Sequence, residues 1–272
     1  MNGDPAHTAP DLSAAVPAGQ PLAIEPGALA AMRRGERPTS GDSRAFEMIG
    51  GVAIIPIYGP IVPGDGGILA ELGMATGLDR LRAVVMTAAA DQQVSAIAFA
   101  VDSPGGTTQN LFRATEAIRA ARQTKRTVAV VTGSAFSASY ALAAAAGDVV
   151  LASETAGAGS IGAIAMHVSQ AGALDQAGVE VTEVIAGARK ADLSPHRALS
   201  DRGRDTLQSL VDRTQTLLVN DIGTSRPALG ADRAAATEAA LYQGSEAIDA
   251  RLADTIDTAE AVIQTLEERT QR

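Results

Sequence analysis

The sequence predicts an α/β protein in which short parallel strands alternate with helices and a helical region closes the chain. Three observations carry that reading. Short β-branched apolar runs end in Gly or Pro, helical-period apolar stretches lie between them, and the chain beyond Pro195 keeps helical periodicity.

The elements follow in order. Six of the twelve prolines fall in the first 38 residues among Ala, Gly and Ser, so residues 1–45 read as a flexible Pro/Ala-rich segment outside the folded domain. Gly51 to Ile57 reads as a buried strand closed by Gly59-Pro60, with a Gly-rich loop at Pro63 to Gly67. Leu78, Leu81, Val84, Val85 and Ala88 recur at helical spacing, and Val94 to Val101 gives a second strand ending at Asp102-Ser103-Pro104-Gly105-Gly106. Leu111, Ala114, Ala117, Ile118 and Ala121 mark a further helix, and Thr127 to Val131 a third strand. This alternation implies right-handed parallel crossovers. After a Gly133-Ser134 turn come an Ala-rich buried helix, a strand at Asp148 to Ala152, the turn Gly159-Ser160-Ile161-Gly162 and a strand at Val179 to Ala186. Leu207, Leu210, Val211, Leu217 and Leu218 share one helical face, and shorter helices follow near 231–241, 245–252 and 259–268.

Composition narrows the chemistry. A chain of 272 residues suffices for one large α/β domain, and with 3% aromatics and no Trp its core must be packed from Ala, Val, Leu and Ile. A formal net charge of −9 argues against nucleic acid as partner, since phosphate binding needs clustered Lys and Arg. The absence of Cys excludes disulfides, thiolate zinc sites and a Cys nucleophile. Histidines stand scattered at 7, 167 and 196, too dispersed for a His-rich metal centre, and neither metal nor cofactor is expected. The N-terminus lacks the basic and apolar regions of a secretory signal, and no apolar run reaches membrane-spanning length. A soluble cytoplasmic protein without a membrane anchor is the expectation.

Several residues are candidates for chemistry. Ser137 sits at a strand-turn-helix junction, where a helix N-terminus presents a hydroxyl and free amides; the same place suits an ordinary N-cap serine. Ser103-Pro104-Gly105-Gly106 ends a strand with glycines whose amides can approach a substrate, or forms a plain turn. Lys190 and Lys125 are the only lysines in a chain that otherwise uses Arg. A base must lose its proton, which a lysine can do and a guanidinium cannot. Lys125 lies in a polar turn, whereas Lys190 follows a predicted strand and Gly187, a better place for a site residue. Of the histidines, His167 is the competitor to Lys190 as base.

Taken in order, Asp102-Ser103-Pro104-Gly105-Gly106, Ser137-Ala138-Ser139-Tyr140, Gly159-Ser160-Ile161-Gly162, Gly187-Ala188-Arg189-Lys190 and the closing Tyr242-Gln243-Gly244-Ser245-Glu246-Ala247 with Leu252-Ala253-Asp254 resemble a family of Ser-Lys peptidases. It contains signal peptide peptidase A and the phage head-maturation proteases called minor capsid protein C. The resemblance runs from about Gly51 to Asp254 and implies a ClpP/crotonase-type spiral of β-β-α units with a helical C-terminal region. It also implies a serine endopeptidase domain over 46–256, followed by a C-terminal helix at 257–272. By that resemblance Ser137 is the nucleophile and Lys190 the general base, Ser160 orients the lysine, and the amides of Gly106, Gly105 and Ala138 form the oxyanion hole.

Ala138-Ser139 stands where signal peptide peptidases have two glycines, which resembles the phage branch and makes Ser139 a backup nucleophile. The phage branch implies scaffold, portal or major capsid protein as substrates and action inside the procapsid, and resemblance to enzymes of this fold implies a homo-oligomer. Three alternatives stay open: a cytoplasmic signal peptide peptidase A-like enzyme, a crotonase-like acyl-CoA enzyme using helix amides to hold an enolate, and a non-catalytic assembly protein. A Clp-type triad would want a His about 25 residues after Ser137, near Gly162, where none stands.

Overall fold

The computed structural model describes residues 22–24 and 46–270, so most of the Pro/Ala-rich segment lies outside the described residues. The elements are β1 (Leu22–Ile24), β2 (Glu47–Ile49), β3 (Val52–Tyr58), β4 (Ile61–Val62), α1 (Gly67–Glu71), β5 (Thr76–Gly77), α2 (Leu78–Ala90), β6 (Ala96–Ser103) and β7 (Gly105–Thr107). There follow α3 (Leu111–Arg122), β8 (Arg126–Phe136), α4 (Ala138–Ala145), β9 (Asp148–Leu151), β10 (Gly157–Gly159) and α5 (Ala171–Gln176). The C-terminal part contains α6 (Asp201–Ser225), α7 (Gly230–Ala236), β11 (Leu241–Gln243), α8 (Gly244–Asp249), β12 (Thr255–Ile256) and α9 (Ala259–Thr270).

Strands β3, β6, β8 and β9 are parallel, and their side chains alternate between two buried faces. Ile55, Ile57, Ile97, Phe99, Ala129 and Val131 join Leu78, Leu81 and Val85 of α2 in the main core. Val52, Ala96, Ala98, Val128, Val130 and Val150 point the other way, onto Val262 and Leu266 of α9. A parallel sheet covered on both faces reads as continuous apolar runs rather than alternation, which is how β3 and β6 stand in the sequence. Burying Leu266 contributes about 2 kcal/mol, so a charge there would strip α9 from the sheet.

A second sheet, in the order β1-β7-β4-β5, has at its centre β4 and β7, the strands that follow β3 and β6 after sharp corners. Strand, corner strand, helix therefore repeats along the chain, giving the expected spiral of β-β-α units with a helical C-terminal region. Helix α4 runs through the centre with all eight residues buried, as its Ala-rich, apolar-all-round sequence requires. Its Tyr140 donates its hydroxyl to the carbonyl of Leu252 at 3.0 Å. Burial pushes that phenol far above its ordinary range, so it stays a neutral donor. The same closing segment is held by Arg226, which reaches Asp254 at 2.8 Å and the carbonyl of Gly147 at 2.8 Å.

Three local expectations are corrected. Gly133-Ser134 is not a turn but lies within β8, because Asp102 takes both the amide and the hydroxyl of Ser134, at 2.9 and 3.1 Å, and pins the chain in extended form. Gly133 makes room for that carboxylate: a Cβ there would stand 2.3 Å from Asp102 Oδ1. Gly105-Gly106 likewise is a strand, β7, after the corner at Pro104. The strand expected over Val179 to Ala186 does not form; Val179, Val181 and Ile185 are roughly half exposed and Val184 is 94% exposed. A strand needs a partner edge, and the outer edge of β10 is already taken by β11.

Candidate active site

The site is built where β8 ends. Its last residues pair with β10, Phe136 facing Gly159, and the amide of Ser137 donates to the carbonyl of Gly159 at 2.8 Å. The chain then turns into α4 through Ser137 itself, at φ 57 and ψ −117. A serine in that region carries strain of order 1–3 kcal/mol, which persists only where the surroundings impose it. Its hydroxyl does not cap the helix, so the plain N-cap reading fails; it donates instead to the carbonyl of Gly162 at 3.1 Å. Ser137 has no exposed surface in this arrangement.

The loop that receives Ser137 is strained as well. Ser160 has φ 51, is buried, and donates its amide to the carbonyl of Ala240 at 2.9 Å. Two non-glycine residues in left-handed conformation thus face each other across the Ser137 amide and hydroxyl bonds. Sequence reasoning named both serines but had no signal for their backbone geometry.

Ser139 is spent structurally. Its buried hydroxyl lies 2.8 Å from the carbonyls of both Ser103 and Phe136, so it ties α4 to the end of β6 rather than facing a cleft. That argues against a backup nucleophile. Ala138 begins α4, where helix amides lack intrahelical partners.

Strand β7 runs beside this helix start. Gly105 has φ 91, and its amide donates to Ser103 Oγ at 3.2 Å. Gly106 faces Ile61 of β4 so closely that a Cβ would stand 2.0 Å from the Ile61 carbonyl oxygen. Only glycine fits at either position, for different reasons.

Lys190 makes no hydrogen bond to the Ser137 turn. It is exposed, on a turn in which its amide donates to Gly187, and no hydrogen bond joins it to Ser137 or Ser160. The turn is clamped to the start of α6: Arg202 holds the Asp192 carboxylate at 2.9 and 3.0 Å and the Ala188 carbonyl at 2.9 Å. Bonding to Arg202 holds the Asp192 carboxyl below the usual range against the opposing effect of desolvation. Farther along α6, Gln215 donates to the carbonyl of Ile161 at 3.1 Å. At 1.5 Å per residue these two anchors lie roughly 20 Å apart along the helix.

Two histidines, His167 and His196, lie among the described residues. His167 Nε2 lies 2.9 Å from the carbonyl of Ser194, and His196 is exposed beside Ser194, so neither bonds Ser137. Among the described residues no cluster of His, Cys, Asp and Glu has the makings of a metal site, and no helix is long and apolar enough to cross a membrane.

Comparison with known proteins bears on this geometry. The model of peptidase family S49 matches residues 119–271, a stretch that includes Ser137, Ser160 and Lys190. The head-tail preconnector protein GP5 of Enterobacteria phage P21 is 34% identical over 258 residues, covering 93% of this chain and 50% of that protein. The capsid assembly protease C of Escherichia phage lambda is 34% identical over 212 residues, covering 78% of this chain and 48% of that protein. The chain thus spans about half the length of the curated relatives it matches. Among solved structures, an enoyl-CoA hydratase/isomerase family member overlays with TM-score 0.48 and 15% identity, over 85% of this chain and 77% of that one. An enoyl-CoA hydratase from Shewanella pealeana overlays with TM-score 0.42 and 11% identity, over 83% of this chain and 72% of that one.

Proposed function

Because this chain belongs to peptidase family S49, we propose that it is a serine endopeptidase with a Ser137-Lys190 dyad, acting on phage head proteins during capsid maturation. The observation that carries the reading is Ser137 itself, a buried hydroxyl held in a strained strand-to-helix turn beside a strand of two obligatory glycines. Ordinary packing gives no reason to store strain there.

In the proposed reaction Ser137 Oγ attacks the scissile carbonyl as its proton passes to Lys190 Nζ. The amides of Gly106 and Ala138 hold the oxyanion, that of Gly105 joining them when it leaves Ser103 Oγ, and Ser160 orients the lysine. The C–N bond breaks as Lys190 returns the proton to the leaving amine. Water then hydrolyses the ester on Ser137, with the lysine again taking a proton.

Lys190 must move to Ser137 for this, and we assign that step to assembly. Residues 178–185 expose Val179, Val181, Val184 and Ile185 beside the Lys190 turn, an apolar stretch with strand propensity that lacks an edge in one copy. A second copy supplies an edge, so the active form is a homo-oligomer. Scaffold, portal and major capsid proteins are the proposed substrates, supported by relatives whose names place them in capsid assembly and head-tail connection. The procapsid interior is the proposed place of action.

Cleavage of casein by the unmodified protein, Ser137→Ala, Lys190→Ala, Lys190→Arg and His167→Ala tests the reading. Loss in the first three variants with activity kept in His167→Ala supports it. Activity surviving Lys190→Arg removes the lysine as base.

A further inference from the structure

We propose that the chain's own residues Leu22–Ile24 occupy the outer edge of β7, the edge that the peptidase reading assigns to substrate, as a substrate-like strand. This rests on the peptidase reading and extends it to how the site is kept closed.

The pairing is specific. One edge of β7 is taken by β4, with Gly106 opposite Ile61. On the other edge β1 lies antiparallel, with Leu22 opposite Thr107, Ala23 opposite Gly106 and Ile24 opposite Gly105. The strand that presents the two glycines is therefore covered, on its free side, by a short stretch of extended backbone. Main-chain pairing of this kind is how extended peptides add to an exposed sheet edge.

Direction matters more than occupancy. Because β1 is antiparallel to β7, it runs from Thr107 toward Gly105, the residue that follows the corner at Ser103-Pro104. That corner is fastened to α4 by the Ser139 hydroxyl, two residues past Ser137. Ile24 is thus the β1 residue paired next to that corner, and β1 runs toward it with its carbonyl end leading. Ser137 is meanwhile fully buried. A tethered strand on the same edge competes with any incoming peptide at high effective concentration.

The test uses the full chain carrying Ser137→Ala, so that no cleavage occurs. Antiparallel partners bond through alternate residues, so either Ala23→Pro or the double Leu22→Pro, Ile24→Pro removes amides that donate to β7. Hydrogen exchange at the 105–107 amides and binding of a fluorescent peptide with the sequence of residues 19–28 are measured in the parent and both variants.

The expected result is that at least one proline variant exposes those amides and binds the added peptide about tenfold more tightly or better, as release of a self-occupied site demands, with the peptide restoring protection. Equal protection and equal binding in all three proteins overturn the proposal. Casein cleavage by the corresponding Ser137 proteins separates the two readings. Tighter peptide binding with no cleavage by any form keeps the peptide-binding edge and removes the peptidase. Cleavage that no proline substitution accelerates keeps the peptidase and removes the internal strand as its inhibitor.

Discussion

Gln215, near the middle of α6, donates to the carbonyl of Ile161 at 3.1 Å, so the helix that anchors the Lys190 turn through Arg202 also braces the loop that receives Ser137. The loops of both proposed partners are thus linked to one helix. Replacing Gln215 by Ala should cost about 1 kcal/mol of stability in urea unfolding. It should lower kcat for casein severalfold at temperatures where the protein stays folded, because Gly162, the acceptor for Ser137, lies next to Ile161.

Strain at Ser137 gives a second expectation. Ser137→Ala keeps the left-handed backbone, whereas Ser137→Gly relieves it, so the glycine variant should be the more stable of two inactive proteins by about 1 kcal/mol. Comparison of their denaturant midpoints checks this. Equal midpoints would mean that the turn is not strained.

Much of this was legible in sequence, and the failures have local causes. β3, β6, α2, α3 and α6 stand out because burial on one or two faces imprints a period on their residues. Gly133-Ser134 and Gly105-Gly106 read as turns because glycine marks both turns and close backbone approach; only the Asp102 carboxylate and the Ile61 carbonyl, distant in sequence, decide between them. Val179 to Ala186 has strand propensity but no edge to pair with. β1 is three residues in a proline-rich stretch, paired with residues far along the chain, and leaves no periodic trace. The resemblance named Ser137 and Lys190, while the bonds from α6 to the loops that carry them join residues distant in sequence, which no motif encodes.

Gly106→Ala is the sharpest steric test of the glycine strand. A methyl group would fall 2.0 Å from the Ile61 carbonyl oxygen, so β7 must move away from β4. A loss of about 1–3 kcal/mol in thermal or urea unfolding is expected, together with loss of casein cleavage.

The Arg226–Asp254 pair sets an acid limit. Burial pushes the Asp254 carboxyl up, but hydrogen bonds from Arg226 and the Val149 amide outweigh it and hold the carboxyl below its ordinary range. A depressed folded value means the contribution is fully present above the unfolded pKa of about 3.9 and is lost as pH falls through the folded one. Arg226→Ala should therefore cost about 2 kcal/mol at neutral pH, less than a fully buried pair because Asp254 is partly exposed, and flatten the stability profile below about pH 4. Urea midpoints taken between acid and neutral pH read both effects.

The most direct measurement is covalent capture of the nucleophile with a fluorophosphonate probe, followed by peptide mapping in a mass spectrometer. The account predicts a single adduct on Ser137, absent from Ser137→Ala and much slowed in Lys190→Ala. An adduct on Ser139 or another serine, in a preparation that cleaves casein, would contradict it.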